Sequence, residues 1–171
     1  MRVIKLAVLS FIFLFLLVTG ISLFIPFNVR ISKAVNMHAE FDSVYKEVSN
    51  IQAWKNWHPA LKDLSADNFT YLEDGSMKVK NDILKITRKK SDEVIAEFKR
   101  EEGRPLISGL KLISHLQVDS LSIQWYMDFD LRWYPWEKFR SLFYENIYGI
   151  QMEQGLSNLK QLMEGRRSSI N

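Results

Sequence analysis

Leu121 to Trp133 reads LSIQWYMDFDLRW, and its alternation decides the fold. Every odd position is apolar: Leu121, Ile123, Trp125, Met127, Phe129, Leu131 and Trp133. The even positions, Ser122 to Arg132, are polar or amphipathic. A period of two sustained this long belongs to a β-strand with one dry face and one wet face. The preceding stretch, Leu106 to Val118, repeats the pattern on its even positions, with Leu106, Leu110, Leu112 and Leu116 on the dry side and Ser108 and Ser114 among them. Asp119-Ser120 supplies the turn. Together they read as an antiparallel pair that buries one face.

The rest of the chain extends this plan. Asn28 to Met37 alternates too, with Val29, Ile31, Val35 and Met37 on one face and Lys33 interrupting it. Glu40 to Ile51 has helical spacing through Phe41, Val44, Tyr45 and Val48. Ala53 to Leu61 reads as a second short helix or turn, broken near Pro59. Asn68–Leu72 and Met77–Val79 flank Glu73-Asp74-Gly75, a hairpin signal. Ile83–Arg88 and Val94–Phe98 form another pair, joined at Lys90-Ser91-Asp92.

Pro135 to Glu164 reads as one long helix with Pro135 in its first turn. Its stripe runs through Phe139, Phe143, Ile147 and Ile150, then rotates slightly into Met152, Leu156, Leu159 and Met163. Gly149 and Gly155 each cost about 1 kcal/mol against alanine in a helix. Close packing or a flexing cavity mouth is expected at both. The order is strand, two short helices, about six strands and a long helix. This predicts an α+β fold: a curved antiparallel sheet wrapped around a long C-terminal helix.

Leu6 to Ile25 carries no charge. At about 1.5 Å per residue it makes a helix roughly 30 Å long, the thickness of a bilayer's hydrocarbon core. Arg2 and Lys5 precede it and Pro26 closes it. The run exceeds the apolar core of a secretory signal, about 7–15 residues, and no A-x-A site follows. Residues 1–27 therefore read as an uncleaved transmembrane anchor. The alternative is a signal peptide cleaved at Val18-Thr19-Gly20. Arg2, Lys5 and the amino terminus slightly outweigh Arg30 and Lys33, which favours a cytoplasmic N-terminus and an extracytoplasmic remainder, periplasmic if the cell is bacterial. Gly165 to Asn171 reads as a polar tail.

Of the 23 basic residues, Arg2 and Lys5 lie in the anchor; the remainder carries 21 against 20 acids, a net of +1. No basic stripe supports nucleic-acid binding. The chain has no cysteine, so no disulfide framework is available. The three histidines, His38, His58 and His115, form no zinc-ligand spacing. Asp128 and Asp130 look like paired carboxylates, but register puts them on the wet face, as it does His115. No cofactor or metal is expected.

Four pieces of sequence carry a resemblance. They are the first strand NVRISKAVNM, the segment Phe41 to Trp57 with its Trp54-x-x-Trp57-x-Pro59 ending, the Trp125 strand, and Gly155-Leu156-Ser157-Asn158-Leu159-Lys160. Residues 28–164 resemble the START-like, helix-grip superfamily (SRPBCC), which includes polyketide cyclase/dehydrase-type proteins. The resemblance implies a cavity between sheet and helix for a lipophilic ligand.

Placed on that fold, Leu110, Leu112, Leu116, Ile123, Trp125, Met127, Phe129, Phe143 and Ile147 are expected to line the cavity, with Trp54, Trp57 and His58 at its mouth. Ser108 could offer a hydrogen bond, and Tyr144 and Tyr148 could reach the cavity or sit at its rim. An apolar interior with few ionisable groups favours binding over catalysis. The leading expectation is a membrane-anchored domain that binds a hydrophobic small molecule or lipid. A cyclase- or dehydratase-like enzyme using His58, Tyr144 or Tyr148, and a cell-envelope interaction protein without ligand, are the alternatives.

Overall fold

The computed structural model describes residues 2–62, 64–65, 68–101, 104–115 and 120–168. The strands are β1 (Asn28–Met37), β2 (Phe69–Tyr71), β3 (Met77–Val79), β4 (Asp82–Lys89), β5 (Glu93–Lys99), β6 (Leu106–His115) and β7 (Ser120–Asp130). They form one sheet in the order β1-β7-β6-β5-β4-β3-β2, each neighbouring pair antiparallel. The first strand closes against the last, so the sheet is completed only when both ends of the chain are in place.

The dry faces meet in register. Leu110 lies opposite Trp125 and Leu112 opposite Ile123, while Ile123 also faces Val35 of β1. A register shift between Ile86 and Arg88 bends β4. The wet face holds the paired charges. Arg30 grips Asp128 through Nε and Nη2 at 2.6 and 2.8 Å, and Asn28 donates to Asp130 Oδ1 at 2.5 Å. Tyr126 is buried on this face because it lies across Gly109, where any Cβ would overlap its ring. Its hydroxyl donates to Glu93 at 2.9 Å, and burial together with that carboxylate pushes its pKa up to about 12.

The helices are α1 (Arg2–Ser22), α2 (Phe41–Ser49), α3 (Pro59–Lys62), α4 (Pro135–Ser141) and α5 (Ile150–Ser168). A 3₁₀ turn spans Ile51–Asn56 and a π turn spans Glu145–Gly149. The 21-residue α1 is long and apolar enough to cross a membrane, a property that a signal sequence shares.

The structure corrects the sequence reading in three places. The expected single helix from Pro135 is broken: Leu142 and Phe143 donate to Phe139 and Arg140, three residues back, and the π turn follows. Lys33 sits beside the break. Its amine reaches up from β1 to pair with Glu145 at 2.6 Å and Glu153 at 2.7 Å, one on each side of Gly149, whose missing side chain leaves room for Lys33 Cε. Second, α5 continues through Gly165 to Ser168, where the sequence suggested a tail; Arg166 pairs with Glu47 at 2.7 Å. Third, β7 stops at Asp130, so Trp133 leaves the dry face and is 60% exposed. Leu116 and the expected turn residue Asp119 lie outside the described residues.

Candidate functional site

Beneath α5 the sheet carries a block of rings. Asn50 caps the 3₁₀ turn by accepting from Gln52 N–H, and the turn delivers Trp54 and Trp57 inward. His58 then caps α3: its carbonyl accepts from Leu61 and Lys62, and its Nδ1 accepts from Ala60 N–H at 3.3 Å. Pro59 suits the first helical turn. The imidazole stacks on Trp54, at 5.6 Å between centroids, and packs against Trp125 at 5.1 Å and Phe98 at 6.4 Å. Trp57 meets Trp125 edge-on.

Two of the three indoles in this block have acceptors. Trp54 Nε1 donates to Val48 O at 2.8 Å and Trp125 Nε1 donates to Ser108 Oγ at 2.7 Å. Trp57 Nε1 is buried and has no acceptor among the described residues. A buried donor left unpaired is costly, so such groups usually mark a water or ligand contact.

Burial drives the His58 pKa down to about 4. At neutral pH the ring is uncharged, and with Nδ1 accepting from Ala60 its proton sits on Nε2. It can hold a hydrogen bond, but a base of pKa about 4 accepts protons poorly.

The expected cavity residues separate into three groups. Leu110, Leu112, Ile123, Trp125 and Met127 are buried, packed with Met152, Leu156 and Leu159 of α5. Trp54, Trp57 and His58, expected at a mouth, are likewise buried in this packed end. Phe129 is half-buried. Phe143 and Ile147 turn outward, 61% and 46% exposed. The broken helix explains this. The inward face of α5 runs through Met152, Leu156, Leu159 and Met163, and extends back through Tyr148 and Tyr144.

At the far end of the sheet–helix interior, Phe129, Tyr144 and Tyr148 are only half-buried. Phe129 packs against Tyr144 at 4.6 Å and Tyr148 at 4.8 Å, and the two tyrosines meet edge-on at 5.5 Å. Phe98 lies opposite Leu106 in the neighbouring strands. Arg100 reaches the Tyr148 hydroxyl at 3.5 Å, which favours its charged form. Burial raises the Tyr144 pKa, with Tyr148 adding to the shift. Phe98 and Arg100 were not singled out in the sequence; their strand alternates like several others.

No family model and no curated protein matches the sequence. Solved structures do match the fold. CalU16 from Micromonospora echinospora superposes with TM-score 0.55 at 14% identity, over 80% of this chain and 74% of that one. A START superfamily protein from Mycobacterium smegmatis gives 0.52 at 14%, over 80% and 97%. The di-domain ARO/CYC StfQ from the steffimycin biosynthetic pathway gives 0.59 at 10%, over 83% of this chain and 52% of that one.

The chain has the START-like, helix-grip fold.

Within this START-like fold, three of the four sequence pieces that carried the resemblance meet at one point. Gly155 lets Trp125 and Pro59 approach α5, and Asn158 Nδ2 donates to Trp57 O at 3.1 Å. A Cβ at Gly155 would sit 2.6 Å from Trp125 Cζ3 and 2.9 Å from Pro59 Cδ. Neither ring can yield easily, so Gly155→Ala should cost about 1–3 kcal/mol, the range for overpacking. A denaturant midpoint unchanged from wild type would show that α5 does not seat on these rings.

A separate surface cleft of about 550 Å³ lies between α2 and the end of α5, lined among others by Glu40, Lys46, Glu47 and Arg166. Its mixed charges suit a polar guest, and it is not the apolar interior that the fold encloses.

Proposed function

We propose that residues 28–164 form a binding domain for a lipophilic molecule, held at a membrane by residues 1–27. The guest enters the START-like interior at the end lined by the half-buried Phe129, Tyr144 and Tyr148. The observation that carries this reading is the contrast between the two ends. One is filled by Trp54, Trp57, Trp125 and His58, while the other leaves three aromatic faces partly uncovered beside Met127 and Leu106. Such a site is apolar with a few placed polar groups, here the Tyr144 and Tyr148 hydroxyls and Arg100.

Proton transfer is disfavoured by the same groups. His58 titrates well below neutrality and Tyr144 above its ordinary range, so neither is poised near neutral pH.

The test is titration of the full chain in phosphatidylcholine nanodiscs with an environment-sensitive fluorescent fatty acid. Saturable binding, displaced by unlabelled fatty acid, is expected. Tyr148→Ala should weaken it roughly ten-fold, the equivalent of about 1.4 kcal/mol for one lost aromatic and hydrogen-bonding contact. Binding that is absent, or indifferent to this substitution, removes the proposal.

A further inference from the structure

The broken helix leaves an apolar surface that the core does not use. Trp133, Trp136, Leu142, Phe143, Ile147 and Ile150 are each between 46% and 64% exposed. The same segment already buries Tyr144, Tyr148 and Met152 on its inward side. A helix that is apolar on both sides needs a second apolar neighbour.

The α4 end of that surface lies at the foot of α1. Lys138 of α4 is buried there; its amine donates to Ile25 O at 2.8 Å and lies 3.8 Å from the centre of the Phe27 ring. Leu131 N–H donates to Phe27 O at 2.7 Å, and α1 packs against α4. The exposed face therefore begins where the candidate membrane span ends.

Its chemistry also fits a bilayer interface. Two indoles and Tyr134, stacked on Trp136 at 4.8 Å, stand at the start of the patch, as in the aromatic belts at membrane–water boundaries. Arg140, exposed and one helical turn from both Trp136 and Phe143, can extend its head to phosphate groups while its stem stays in the apolar layer.

We propose that this face docks in the headgroup layer of the phospholipid bilayer, laying the START-like fold against the membrane that α1 enters. The proposal rests on the reading of α1 as a membrane anchor.

The test uses the full chain reconstituted in phosphatidylcholine vesicles whose acyl chains carry bromine. Of the five tryptophans, Trp54, Trp57 and Trp125 are buried, while Trp133 and Trp136 are exposed, so contact quenching reports the last two. Brominated lipid should quench most of their emission and aqueous acrylamide little of it. The W133F/W136F double variant should lose the bromine-sensitive component and keep its fold.

Emission quenched by acrylamide but not by brominated lipid overturns the proposal, because the face is then in water. Emission protected from both also overturns it, since another protein surface then covers the face. An alkaline carbonate wash separates this from the anchor. Retention of the chain without bromine quenching ends the docking face and leaves the anchor standing. Bromine quenching in a chain that the wash releases keeps the face and removes the anchor.

Discussion

Trp125→Ala should lower the stability of the START-like fold by about 3–5 kcal/mol, the range for deleting a fully buried large aromatic side chain. Trp125 is 1% exposed and sits within the packed end. Its ring meets Trp57 and His58, and its Cζ3 fills the space that Gly155 leaves open. Its N–H also satisfies Ser108 Oγ, which is 3% exposed and would lose that partner. A single domain is typically stable by about 5–15 kcal/mol, so the loss is a large share of the total. At about 2–4 °C per kcal/mol for a chain of this size, Tm should fall by roughly 10 °C. Thermal unfolding followed by near-ultraviolet circular dichroism reads this directly. Trp125→Phe keeps most of the ring contacts and should cost clearly less. A loss below about 1 kcal/mol for the alanine variant would mean that the rings around it close the gap, contrary to the close packing expected of protein interiors.

His58 should make the protein acid-labile at a pH where its carboxylates are still ionised. Burial lowers its pKa from 6.5 to about 4. The unfolded chain therefore binds a proton that the folded chain refuses, and stability falls as pH drops through that window. The full contribution is present above about pH 6.5 and is lost by about pH 4, a total of about 3 kcal/mol. The carboxylates act lower down. Asp74, held below its ordinary range by Lys85 and Ser76, and Glu93, held down by Lys90 and Tyr126, lose their contributions only as they begin to protonate. Urea midpoints measured from neutral pH to about pH 4.5 should decline for the wild type. His58→Phe keeps a flat ring among Trp54, Trp125 and Phe98 and should flatten that decline. Equal slopes in the two proteins would show that the imidazole is solvated.

Much of the fold was legible because strands report their faces. The alternation at Leu121–Asp130 and Asn28–Met37 predicted both strands and their dry sides, since a period of two allows only two faces and one of them was apolar, without exception in the first stretch and with only Lys33 interrupting it in the second. The glycines were legible as a cost needing an explanation. Structure supplied the partners: Lys33 beside Gly149, and Trp125 with Pro59 beside Gly155. The C-terminal helix misled. Phe143 and Ile147 outrank Tyr144 and Tyr148 in hydrophobicity, so they were expected inside. Extending the four-residue period backward from Met152 would have selected the tyrosines that pack on the core.

The sequence alone determined the seven-stranded sheet's main faces, the apolar N-terminal span and the close approaches at two helical glycines. Each of these depends on residues near one another in the chain or on a property of one residue type. Tertiary structure alone decided which of two apolar stripes on the last helix faces the sheet, and that one end of the interior is filled by Trp54, Trp57, His58 and Trp125 while Phe129, Tyr144 and Tyr148 at the other are half-buried. The physical reason is that a stripe's hydrophobicity says that it will be covered but not by what. Here the stripe through Tyr144, Tyr148 and Met152 packs on the sheet, and Lys33 from the first strand pairs with Glu145 and Glu153 on the same segment.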